Sequence, residues 1–127
     1  MNGESAAATA AVHDIIPSET LAGNAVVNRD DEELGTLAHI MLDVPGGRIA
    51  YAVLGCGGVF GIGERLHAVP WSALELDPER QCFVLDIERQ RLDAAPRFDR
   101  EHWPAMTDPR WAMEVHQYYG VRPYWSP

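Results

Sequence analysis

The stretch RIAYAVLGCGGVFGIGERLHAVPW, residues 48–71, sets five glycines (Gly55, Gly57, Gly58, Gly61 and Gly63) into nine positions between two apolar runs. A glycine-rich loop leading into a helix would make this a phosphate cradle in an α/β fold, because bare backbone N–H groups at fixed offsets can close around phosphate oxygens. The offsets are wrong for that. The dinucleotide fingerprint needs glycine at i, i+2 and i+5, but Gly55 and Gly57 lead to Phe60, and Gly61 and Gly63 lead to Leu66. Gly58 and Gly63 have the Walker separation, yet Glu64 and Arg65 follow where a lysine and a hydroxyl are required. A carboxylate there repels phosphate. The flanks read instead as strands: Ile49, Tyr51 and Val53 alternate with Ala50, Ala52 and Leu54, so both faces are apolar. Pro70 limits pairing at the end of the second run. The glycines are therefore expected to form a structural turn between two strands, where φ is positive or backbones approach closely.

Outward from this hairpin the pattern repeats. Upstream, NAVVN, TLAHIMLD and RIAYAVLG are separated by RDDEELG, residues 29–35, an acidic tip expected to close at Gly35, and by VPGGR, residues 44–48, a strong reversal signal. Downstream, SALELD and QCFVLDI are joined across an Asp-Pro turn at residues 77–80. About six short strands in roughly seventy residues, with turns spaced as in small barrels or sandwiches and no intervening helix pattern, predict a mainly β, antiparallel barrel. Before it, residues 1–13 read as a flexible tail. Ile15 and Ile16 are expected to pack, and residues 18–23 to form a turn presenting Leu21 to the core.

The last third changes character. ERQRLDAAPRFD, residues 88–99, suggests a short turn or helix broken at Pro96. TDPRWAMEVHQYYG, residues 107–120, carries full helix punctuation: Asp108 as N-cap, Pro109 at the first helical position and Gly120 as the stop. Trp111, Val115 and Tyr118 define its apolar face. Seven of the eleven aromatic residues lie beyond residue 97, too many for an idle tail. Trp103, Trp111, Tyr118, Tyr119, Arg122, Tyr124 and Trp125 are the interface candidates, since Tyr, Trp and Arg anchor protein interfaces. The competing reading has the same helix covering an open end or edge of the barrel.

Composition narrows the function. The 127 residues suffice for one domain with a genuine core. A net charge of −9 opposes nucleic acid and anionic lipid. Cys56 and Cys82 form no C-x-x-C pair, and two reduced thiols in a cytoplasmic protein are favoured over one disulfide. No signal peptide or membrane-spanning run is evident, so no membrane insertion is expected. His13, His39, His67, His102 and His116 lack chelating spacing, and Ser72 lacks a nucleophile elbow. The RDDEE run lacks the ligand spacing of a calcium loop. No catalytic, cofactor or metal site is expected. His67, beside Glu64 and Arg65, is the least routine of the histidines.

Taken together, Ser18-x-x-Leu21-x-Gly23, Gly35, Gly47-Arg48-Ile49-x-Tyr51 and Val69-Pro70-Trp71 resemble the PRC-barrel family, named for the cytoplasmic domain of the photosynthetic reaction-centre H subunit. The resemblance covers about residues 15–90, and the aromatic tail is similar to the extension of stand-alone bacterial members. It implies a β-barrel of about six strands over residues 14–95, a helical extension over 96–127, and no shared catalytic residue. Family barrels serve as assembly modules, fused to a membrane anchor in the reaction centre and to a second barrel in the ribosome maturation factor. Neither segment is recognisable in these 127 residues. The expected function is that of a non-enzymatic protein-interaction module whose partner is another protein or a second copy, as in a homodimer. A small-molecule binder using the space between barrel and tail, and a ribosome-associated factor, are the alternatives.

Overall fold

Asn28 shows how this chain turns its strands. Its side-chain Oδ1 accepts from the backbone N–H groups of Asp30 (3.0 Å) and Glu32 (2.9 Å), which folds the acidic tip into a tight loop with Asp31 at φ +63°. Its Nδ2 donates to the Ile87 carbonyl at 3.2 Å, tying the tip to a distant segment. In the computed structural model, which describes residues 15–58 and 63–126, strand β1 (Ala25–Val27) precedes this tip and β2 (Glu33–Asp43) follows it. The expected tail over residues 1–13, with His13, lies outside the described residues, as does Gly61.

Four more strands follow: β3 (Arg48–Cys56), β4 (Arg65–Pro70), β5 (Leu74–Asp77) and β6 (Cys82–Leu85). They form one sheet in the order β4-β3-β2-β1-β6-β5, curled into a half-barrel. The β2–β3 hairpin closes where Asp43 accepts from the Gly46 N–H at 3.2 Å and pairs with Arg48 at 2.8 Å. The β5–β6 hairpin closes in the same way through Asp77 and Arg80. The mainly β class and the strand count are as read from the sequence.

Three local expectations are corrected. The acidic tip does not close at Gly35, because β2 has already begun at Glu33 and Gly35 lies inside it. A Cβ at Gly35 would sit 2.5 Å from the Gly55 carbonyl oxygen, so this glycine serves close strand approach. Not every pair is antiparallel: β1 runs parallel to β6, with Val26 opposite Phe83, because the β5–β6 hairpin returns to the open edge of β1. Ile15 and Ile16 stay exposed, at 89% and 40% of their surface. The 3-10 turn Ser18–Thr20 instead delivers Leu21 to the core, and bonds of Gly23 and Leu37 sew the segment to β2.

Two clusters account for the burial of β3. Ala52, Leu54 and Cys56 join Val26, Leu37, Val69, Phe83 and Leu85 in the half-barrel core. Ala50 and Tyr51 join Ala68 and Val115 in a second cluster, packed by Met41, Phe98, Trp111 and Tyr124. Each Val or Leu so buried contributes about 1.5–3 kcal/mol relative to exposure. Helix α1 (Arg89–Asp93) adds Leu92 to the first cluster, and α2 (Pro109–Tyr119) adds Val115 to the second. The two cysteines are buried and unpaired with each other.

Candidate interaction surface

The C-terminal extension is anchored by ordinary backbone chemistry. Phe98 exchanges two backbone hydrogen bonds of 2.9 Å with Leu66, so the chain leaving α1 adds one rung to the edge of β4. His67 reinforces this join: its Nδ1 lies 3.1 Å from the Pro96 carbonyl, an acceptor, so Nδ1 carries the proton. Burial lowers the pKa of His67, and its Nε2 has no partner among the described residues. Beyond this join the Trp103 ring contacts Phe98 at 4.9 Å and His39 at 5.3 Å, while its Nε1 donates to the Arg100 carbonyl.

Helix α2 starts and stops as its sequence predicts. Asp108 accepts from the Arg110 N–H at 2.9 Å, Pro109 occupies the first turn, and Gly120 adopts φ +70° at the C-cap. Its buried residues are Ala112, Val115 and His116, with Trp111, Tyr118 and Tyr119 half-buried. The buried face is thus rotated from the expected Trp111–Val115–Tyr118 line towards His116. The small Ala112 and Val115 side chains let the helix approach β4 closely.

Tyr51 is the centre of the aromatic arrangement. Its ring lies 5.2 Å from Trp111, 5.5 Å from His116 and 5.6 Å from Tyr124, mostly edge-on, the favoured geometry for such pairs. Burial pushes its phenol above the ordinary tyrosine range, and its hydroxyl has no partner among the described residues. Arg48 straps the last residues down, lying 5.2 Å over the Tyr124 ring and donating to the Tyr124 carbonyl at 3.1 Å. Trp125 packs against Tyr124 and His116 but keeps 40% of its surface exposed.

A second arginine holds the last turn of α2. Arg91 lies 4.8 Å over the Tyr118 ring and donates to the Tyr118 carbonyl, and the Tyr118 hydroxyl donates back to the Arg91 carbonyl. This clasp forms one wall of an open groove of about 620 Å³ between the half-barrel and the extension, bordered also by Arg29, Glu75, Asp86 and Gln117. Within this lining Arg29 is paired with Glu75 at 2.7 Å and Asp86 at 3.3 Å.

Of the residues singled out in the sequence, Trp111, Tyr124 and Trp125 converge around Tyr51 and His116. Tyr118 and Tyr119 lie together beside the groove, their rings 5.3 Å apart. Trp103 belongs to a separate contact with His39 and Phe98, and Arg122 is exposed. Gly57, Gly58 and Gly63 all have positive φ in the β3–β4 connection, while Gly55 lies within β3, opposite Leu66. Reading the sequence missed Tyr51, His116, Arg48 and Arg91. One signal for Tyr51 was present: a strand apolar on both faces needs a second covering layer, and Tyr51 is its only aromatic residue.

Among the described residues no group of three or more His, Cys, Asp or Glu could hold a metal, and no helix is long and apolar enough to cross a membrane. The PRC-barrel domain matches residues 13–92, more than half of the chain. The chain belongs to the PRC-barrel domain family. Among solved structures, a putative 16S ribosomal RNA processing protein RimM from Pseudomonas aeruginosa is similar at 18% identity, with a TM-score of 0.38. That similarity covers 61% of this chain and 49% of the other, so this PRC-barrel chain spans about half of that protein's length. Among curated proteins, none matches.

Proposed function

We propose that this PRC-barrel chain is a non-enzymatic interaction module, with the half-barrel over residues 14–95 serving as scaffold and the extension over 96–127 supplying the contact surface. One observation carries the reading. The extension buries enough aromatic surface to be fixed in place, yet it leaves Trp103 at 38% and Trp125 at 40% exposure and sets the Arg91–Tyr118 clasp along an open groove. Rigidly held aromatic residues and arginines supply binding energy at low ordering cost.

The charge supports a protein partner over RNA. Every cationic side chain in the sequence is an arginine, and Arg29, Arg48, Arg65 and Arg80 are ion-paired to carboxylates within the chain. The groove, polar and lined by an ion pair, suits a protein surface better than an apolar small molecule. The partner is another protein or a second copy of the chain.

The test uses point variants, because cutting the chain at Phe98 would strip the cover from Tyr51. A Tyr118→Ala, Trp125→Ala double variant and the unaltered protein are compared by sedimentation equilibrium and by affinity capture from the native host lysate. A self-association or a captured protein that the variant loses, at unchanged far-ultraviolet circular dichroism, is the expected result. Binding that survives the variant unchanged contradicts the proposal.

A further inference from the structure

His116 is buried to 1% exposure in the last turn of α2, and both its ring nitrogens are committed. Nδ1 lies 2.7 Å from the Ala112 carbonyl oxygen. A carbonyl can only accept, so Nδ1 carries a proton. Nε2 lies 3.3 Å from the backbone nitrogen of Tyr124, a donor, so Nε2 must be bare. The partners therefore fix the neutral ring in one tautomer. A second proton can go only to Nε2, where it would face the Tyr124 N–H.

The surroundings offer that proton no compensation. The rings facing His116 are Tyr51 from β3 and Tyr124 and Trp125 from the last segment, at 5.4–5.8 Å. Of the charged and titratable side chains on the packed strands, Arg48 of β3 is stacked on Tyr124 and paired with Asp43 of β2, while on β4 Arg65 is paired with Asp93 and His67 is bonded to the Pro96 carbonyl. No carboxylate among the described residues bonds to the ring. Aromatic faces attract an imidazolium, but that attraction cannot restore an acceptor for the Tyr124 N–H. A buried cation without a bonded carboxylate is costly.

We infer that His116 is a proton-sensitive latch: its protonation expels the Tyr124 N–H and frees residues 121–126 from α2, uncovering Tyr51, Trp111 and Arg48. The value of release to a partner rests on the interaction reading above. The latch itself needs no partner, so the two can fail separately.

The experiment is backbone ¹⁵N relaxation on the intact protein from about pH 8 to about pH 5, with the His116 ring titration followed in the same samples. Order parameters at Val121, Tyr124 and Trp125 are expected to fall from about 0.85 to below about 0.6 as His116 charges, while the β3 amides stay rigid. In His116→Gln, whose side-chain oxygen can accept from Tyr124 without titrating, they are expected to stay flat. Constant order through the His116 titration overturns the latch. So does a His116 that first titrates as β3 unfolds, or a His116→Gln protein that loosens as the wild type does. Should His116→Gln not fold, the wild-type titration decides alone.

Discussion

Tyr51 concentrates what a single residue does in this fold. It touches Trp111, His116 and Tyr124 and is almost fully buried, so Tyr51→Ala should cost about 3–5 kcal/mol, read from the urea unfolding midpoint. Trp111→Ala should cost less, because Trp111 is only half-buried. Tyr51→Phe separates the ring from its hydroxyl. The hydroxyl has no bonding partner among the described residues, so its removal should leave stability unchanged or slightly raised. A loss above about 1.5 kcal/mol, the net worth of an ordinary hydrogen bond, would show that the hydroxyl is satisfied after all. His67 gives the pH counterpart. Burial lowers its folded pKa, so the folded state resists a proton that the unfolded chain takes up. Its contribution is complete above the unfolded value of about 6.5 and declines as pH falls below it, by at most about 1.4 kcal/mol per unit. Asp43, Asp77 and Asp99, whose pKa values are lowered by hydrogen bonds from Arg48, Arg80 and His102, lose their contributions only at still lower pH. Denaturation midpoints for wild type and His67→Gln across about pH 5 to 8 should therefore converge as pH falls, and parallel curves would contradict this account.

At the scale of elements, the hairpins were legible because their turn chemistry is local. Pro45-Gly46-Gly47 and Asp77-Pro78 mark reversals whatever the rest of the chain does, and the helix signals at Asp108, Pro109 and Gly120 act within a few residues. What could not be read there depends on strands distant in sequence. Gly35 looks like the end of a turn until β3 is laid beside β2, when the Gly55 carbonyl occupies the space of its missing side chain. The parallel β1–β6 pairing likewise joins residues more than fifty positions apart, and no local pattern encodes it. Gly35→Ala should accordingly destabilise by about 1–3 kcal/mol, as overpacking does, checked by thermal unfolding. Retained stability would mean that β2 and β3 can separate at no cost.

Over the whole molecule, the sheet and the extension form one packed unit with two faces of β3 buried for two reasons. The apolar alternation of residues 49–54 announced a strand covered on both sides, and the aromatic excess after residue 97 announced the covering layer. The candidate surface was legible in composition but not in arrangement. Trp111, Tyr124 and Trp125 were identifiable as aromatic, whereas nothing local to Arg48 or Arg91 showed that these arginines hold the extension. The interaction reading rests on what the extension leaves exposed, and the Tyr118→Ala, Trp125→Ala double variant addresses it once the fold of the variant is shown to match that of the wild type. The most direct measurement is sedimentation equilibrium and quantitative affinity capture of that variant beside the wild type, under conditions where both have the same circular dichroism. Binding to a partner or to itself that the wild type shows and the variant loses by tenfold or more, about 1.4 kcal/mol, is the result this account predicts. Equal binding by the two proteins would contradict it.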